Sequence, residues 1–211
     1  MTSFTPAPKK RGRPPKRHQD NVETRQLLLH AGLELLTERG FAATGLEAIL
    51  KRVQVPKGSF YHYFDSKEAF GLALIDHYAH YFLRKLESHL NNTELAPLAR
   101  ISAFVNDAQT GMARHDFKRG CLIGNLGQEM GALPESFRSR LIDVFEQWQA
   151  ALADCLRAAV AERALAADTD CDQFAHLFWV GWEGAVLRAK LEQSGAPLQL
   201  YHDYFLRSLP R

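Results

Sequence analysis

The run Pro56-Lys57-Gly58-Ser59-Phe60-Tyr61-His62-Tyr63-Phe64 gathers a cation, a hydroxyl and several aromatic groups into little more than one helical turn. That is more polar and aromatic reach than the burial of so short a segment needs. Such a set can donate to phosphate oxygens and base edges together, the chemistry of a short helix entering a DNA major groove. Lys57 can reach a guanine edge or a phosphate, Gly58 allows close approach, and Ser59 can hydrogen-bond to either. Phe60 and Phe64 read as core. A merely solvated helix face is the alternative, and the agreement of caps, spacing and residue types speaks against it.

A second feature points to the same polyanion. Residues 1–19 hold six of the 26 Lys and Arg residues and no acid, leaving 20 basic against 24 acidic residues elsewhere. A net charge of +2 therefore hides a +6 arm on a mildly acidic body. Pro, Lys and Arg dominate residues 1–20, a composition expected to be disordered in isolation. Within it, Arg11-Gly12-Arg13-Pro14-Pro15 resembles the core of an AT-hook. Two arginines flanking a glycine can lie in a narrow minor groove, where the potential is most negative. A solvated basic tail with only non-specific attraction is the other reading.

Other reactive groups are sparse. Cys121, Cys155 and Cys171 are an odd, widely spaced set, which fits free thiols in a reducing compartment. Cys121 follows Arg119 and Gly120 at an expected helix start, where nearby cations and the helix terminus favour thiolate; a small buried hydrophobe is the alternative. Acids flank Cys171 and discourage ionisation, and Cys155 lies in an alanine-rich helix as packing. Asp76, His77 and His80 cannot complete a metal shell, and Gly120–Gly127 lacks the lysine and strand of a phosphate loop. No nucleophile–base–acid set or paired carboxylates stand out. An enzyme, a cofactor and a bound metal are not expected. No apolar run reaches membrane-span length and no secretion signal is present, so a soluble cytoplasmic protein is expected.

Helical periodicity positions these groups. Leu28, Ala31, Leu35 and Leu36 form one stripe, and Gly40 is a natural stop. Thr44-Gly45-Leu46-Glu47 reads as a capping box ahead of Leu46, Ile49, Leu50 and Val53. Val55-Pro56 opens the next helix. Asp65-Ser66-Lys67-Glu68 caps a long helix through Phe70, Leu74, Tyr78 and Phe82 to about residue 90. Further helices are expected at 97–114, 121–131, 134–164, 171–194 and 198–208. The fold class is all-α: an arm (1–20), a helix-turn-helix head (21–70, the motif at about 44–63) and a larger helical bundle (71–211).

The run from Thr44 to Phe70, with V-P-K-G-S-F-Y-H-Y-F-D-S-K-E-A-F at its centre, closely resembles the head of TetR-type transcriptional repressors. The likeness is strong over residues 21–70 and extends by length and helix count to the whole chain. It implies a homodimer on double-stranded, near-palindromic operator DNA, with a bundle that binds a small effector. It also implies a phosphate contact for Thr44 and for Lys67, and backbone clamps by Tyr61 and His62. Tyr63 stands where many members carry histidine. Phe174, Leu177, Phe178, Gly181, Trp182, Ala185 and Ala189, with Leu200, Tyr204 and Phe205 of the last helix, then look like half of a symmetric four-helix dimer interface, with an internal core helix as the alternative.

The bundle resembles a subgroup responding to electrophiles and reactive carbonyls, and more closely the repressors of acrylate-utilisation operons. That likeness implies a sensor of Cys121 with Lys190, a carboxylate partner in Lys190 or Arg188, and walls from Trp179 and Trp182. A constitutive architectural DNA-binding protein is the competing class. All three tryptophans in the C-terminal half are excessive for a dimer clamp alone.

Overall fold

The computed structural model describes residues 18–211; the arm, with Arg11, Gly12 and Arg13, lies outside the described residues. Among the described residues every regular element is a helix, which bears out the all-α reading. Helix α1 (His18–Arg39) begins inside the segment expected to be arm. Its buried face is Leu28, Leu29, Ala31, Leu35 and Leu36. Gly40 ends it at φ +84°, its N–H on the Leu36 carbonyl at 2.9 Å, a left-handed cap that a side chain would strain.

Helix α2 (Leu46–Val53) buries Ile49 and Leu50 but does not form the expected capping box. Gly45 is the N-cap, without a side-chain bond. Thr44 turns inward instead and is 1% exposed, its hydroxyl donating to the Gly40 carbonyl at 2.6 Å. The tight turn leaving α1 draws the hydroxyl into the loop, away from the α2 amides.

Pro56 caps α3 (Lys57–Phe60). The helix proper is shorter than the motif, because Tyr61–Tyr63 continue as a turn. There His62 N–H bonds the Ser59 carbonyl at 3.2 Å and Tyr63 N–H the Phe60 carbonyl at 2.9 Å. Ser66 then caps α4 (Lys67–Leu90), accepting from the Ala69 N–H at 3.0 Å as expected. Beneath α3, the rings of Phe60, Phe64 and Phe70 meet at 4.8–5.4 Å between centroids. These edge contacts hold the short helix on the scaffold from below.

The bundle adds α5 (Pro97–Ala113), α6 (Leu122–Gln128), α7 (Ser136–Ala161), α8 (Cys171–Glu192) and α9 (Ala196–Ser208). Its core is aromatic: Trp148 stacks obliquely on Phe82 at 4.4 Å and on Trp179 at 5.1 Å, and Phe178 meets Phe205 at 4.9 Å. Among the described residues no helix is long and apolar enough to cross a membrane.

Helix α8 corrects one expectation. Phe178, Trp182, Ala185 and Ala189 are buried inside their own bundle, and Gly181 lies under the Tyr201 ring. The apolar stripe left in solvent is Leu177, Val180, Leu187 and Leu191, continued on α9 by Leu200 and Tyr204. Because α8 is apolar around most of its circumference, its periodicity does not say which stripe faces inward.

Candidate functional site

Two regions carry the chemistry. On the head, Lys57, Gly58 and His62 are exposed, Ser59 and Tyr63 half-buried, and Tyr61 is 52% exposed. Phe60 and Phe64 are buried, as expected. The polar members of the motif thus stand clear of the core, and the apolar ones anchor it. Two expected phosphate contacts sit differently. Thr44 is enclosed and its hydroxyl is occupied. Lys67 Nζ donates to the Phe41 carbonyl at 3.1 Å and lies 4.4 Å over the Phe41 ring, pinning the α1–α2 loop.

The second region is a cavity of about 290 Å³ bounded by α1, α4, α5, α8 and the start of α6. Leu33 and Thr37 face it from α1, and Phe82, Phe104 and Trp182 from the bundle. Tyr78, Cys121 and Glu183 meet at its wall. Cys121 is the N-cap of α6, its Sγ accepting from the Gly124 N–H at 3.4 Å. The helix start was foreseen, but the expected thiolate was not obtained. Burial first, then the neighbouring Glu183 carboxyl, push the Cys121 thiol well above its usual range. Arg119 does not offset this, since its guanidinium is turned to Glu38 at 3.0 Å and Glu34 at 3.4 Å on α1. Cys155 is buried as packing, its thiol pushed up to about 11, and Cys171 is also raised by burial.

Glu183 was not singled out from the sequence. Burial lifts its carboxyl to about 7, partly offset by a hydrogen bond with Cys121. Its Oε1 is buried without a hydrogen-bond partner among the described residues. A signal was available: it is the one acid in the otherwise apolar run Leu177–Leu187. Tyr78, read as core, is buried and also touches Cys121.

The four expected effector residues do not share one wall. Cys121 and Trp182 line this cavity, whereas Trp179 borders a separate cleft with Ile142 and Val180. Lys190 Nζ donates to the Thr37 carbonyl of α1 at 3.2 Å, and desolvation lowers its pKa. Arg188 pairs with Glu192 at 2.8 Å, one turn along the surface.

Helix α6 is stitched to the head at two points. At its middle, Asn125 Nδ2 donates to the Thr37 carbonyl at 3.1 Å. Just past its end, Glu129 accepts from the Phe41 and Ala42 N–H groups at 2.9 and 2.8 Å. Helix α6, about two turns long, thus joins the Cys121 wall of the cavity to the α1–α2 loop of the head.

An all-helical chain with a projecting helix-turn-helix and a cavity beneath it defines a transcriptional regulator of the helix-turn-helix class. Residues 28–74 match "Bacterial regulatory proteins, tetR family" and residues 97–205 match "Tetracyclin repressor-like, C-terminal domain". The chain belongs to the TetR family of transcriptional repressors.

The chain is 52% identical over 202 residues to the transcriptional regulator AcuR of Cereibacter sphaeroides, covering 96% of this chain and 92% of that one. It is 37% identical over 178 residues to the HTH-type transcriptional repressor NemR of Escherichia coli, covering 84% and 89%. Among solved structures, the regulatory protein TetR from Rhodobacter sphaeroides superposes with a TM-score of 0.85 at 54% identity, covering 87% of this chain and 97% of that one. Reduced E. coli NemR gives 0.81 at 33%, covering 89% and 97%.

Proposed function

We propose that the protein is a ligand-released repressor, binding a near-palindromic operator as a homodimer. Its effector would be acrylate or a related electrophilic carbonyl or carboxylate. One observation carries this reading: the cavity wall is shared between the head's own helix, α1, and the bundle. An occupant touching Leu33 or Thr37 changes the energy of one head position relative to another, which is the differential contact a release mechanism needs. The volume, about 290 Å³, leaves room for acrylate and for larger carbonyl compounds, and Arg114 at the rim has no ion pair among the described residues. It can serve a carboxylate better than Lys190 or Arg188, whose groups are occupied elsewhere.

Lys57, Gly58, Ser59, Tyr61, His62 and Tyr63 would meet DNA. Arg11-Gly12-Arg13 would lie in an adjoining minor groove, and the six cations of residues 1–19 would add up to six phosphate neutralisations and a steeper salt dependence. The exposed stripe on α8 and α9 supports a two-fold dimer that sets head separation.

The reading is tested by fluorescence anisotropy of a labelled operator titrated with acrylate, propionate and methyl vinyl ketone. Release by at least one is expected, with a change in tryptophan emission from Trp182. Unaltered operator affinity across the panel would favour constitutive architectural binding instead.

A further inference from the structure

Tyr78 from α4, Cys121 at the start of α6 and Glu183 from α8 converge on one sulfur atom. The Gly124 N–H donates to Sγ at 3.4 Å, and the Tyr78 hydroxyl and the Glu183 carboxyl stand beside the thiol at the same cavity wall. A side chain at position 124 would collide with Glu183 Oε2, so Gly124 leaves the space in which this carboxyl approaches the thiol. A phenol, an amide donor and a carboxyl with an unpartnered buried oxygen, around a thiol that opens on a cavity, constitute a proton-transfer arrangement that packing alone does not require.

We propose that Glu183 is the general base for conjugate addition of Cys121 to an α,β-unsaturated carbonyl compound held in the cavity, an assignment that rests on the cavity being the effector site. The Glu183 carboxylate takes the proton of the S–H as a sulfur lone pair forms the bond to the β-carbon. The C=C π pair moves onto the α-carbon and carbonyl oxygen as an enolate, and Glu183 returns the proton to the α-carbon. The S–H bond has then added across the C=C bond. Nothing is oxidised or reduced, and no group leaves.

A base is needed because free thiolate is suppressed here by burial and by the adjacent carboxylate. Transfer to the neighbouring carboxylate, timed with C–S bond formation, avoids that isolated anion. Glu183 is basic enough for the task because burial and the unpartnered Oε1 withhold the donors that normally hold carboxylates acidic. Its direct titratable neighbours are Tyr78 on α4 and Cys121 on α6. His30 and Glu34 of α1, Lys85 of α4 and Arg119 line the same cavity. Glu146 of α7 and His176 of α8 line the adjoining cleft. None of these is hydrogen-bonded to the Glu183 carboxyl.

The test is the rate of Cys121 adduct formation with methyl vinyl ketone on the full chain, localised by peptide mapping, from about pH 5.5 to about pH 9.5. The wild type is expected to gain rate through an inflection near 7. Glu183→Gln should be slower at pH 8 by at least about tenfold and should gain rate only as the thiol itself ionises. Glu183→Asp, which keeps the carboxyl, should restore part of the neutral inflection. A wild-type profile without that inflection, or an unchanged profile in Glu183→Gln, overturns the assignment. The wild-type profile decides even where a variant folds poorly. Operator release by propionate, which cannot form an adduct, separates the two levels. If propionate releases DNA while the pH profile fails, the base assignment falls and the effector site stands.

Discussion

At the scale of single residues, the informative groups are those whose surroundings contradict their chemistry. Glu183 is an acid held where charge is disfavoured, so it strains the fold. With its carboxyl lifted from 4.5 to about 7, the native state holds a proton through that window that the unfolded chain has released. Stability contributed by the protonated group is therefore lost as pH rises from about 4.5 to about 7, and the full cost persists above it. Glu183→Gln should be more stable than the wild type at pH 8 by up to about 3 kcal/mol, the gain vanishing near pH 4.5, as followed by thermal melts. Tyr61 is the opposite case, an aromatic ring 52% exposed that the fold does not need. Tyr61→Ala should weaken operator binding by about tenfold or more, near 1.4 kcal/mol, with melting temperature and dimer mass unchanged. Retained affinity would remove Tyr61 from the DNA interface.

At the scale of elements, α6 matters more than its seven residues suggest. Its first turn carries the cavity's thiol, and the residue capping its end, Glu129, accepts two N–H groups from the loop between α1 and α2. Lys67 pins the same loop through the Phe41 carbonyl. Glu129→Ala leaves two backbone donors without their carboxylate and should cost about 1–3 kcal/mol of stability. It should also reduce the response of operator binding to effector more than it reduces operator binding alone. Parallel anisotropy titrations would show this as a smaller ratio of liganded to free dissociation constants. An unaltered ratio would relieve α6 of any transmitting role.

For the whole molecule, the question is where two copies meet. Val180 is 63% exposed at the middle of the uncovered stripe on α8, too apolar a surface to be left to water over that length. Val180→Arg should give a monomer in sedimentation velocity and a loss of operator affinity larger than any change in the head itself. A dimer surviving this substitution would move the interface elsewhere. The placement also has a mechanical consequence. Helix α8 carries the exposed apolar stripe, turns Trp182 into the cavity, and sets Glu183 between that cavity and the cleft bordered by Val180. In the proposed dimer, occupancy of the cavity and the spacing of two heads would be coupled through this single helix.

Residue type and spacing alone determined much of this protein. They gave the helices and most of their ends, the cap at Ser66, the stop at Gly40, and the division of α3 into exposed polar and buried anchoring side chains. Those features are local, set within a turn or two of the chain, so the sequence holds them directly. Tertiary structure decided the rest. Thr44 turned from cap to buried tie, and Lys190 gained a hydrogen bond to the Thr37 carbonyl of α1. The Cys121 thiol became harder to ionise rather than easier, first because it is buried and then because Glu183, 62 positions away in the chain, arrives beside it from another helix. Desolvation and the charge of a distant neighbour depend on what packs against a group, and no local pattern of residues encodes that.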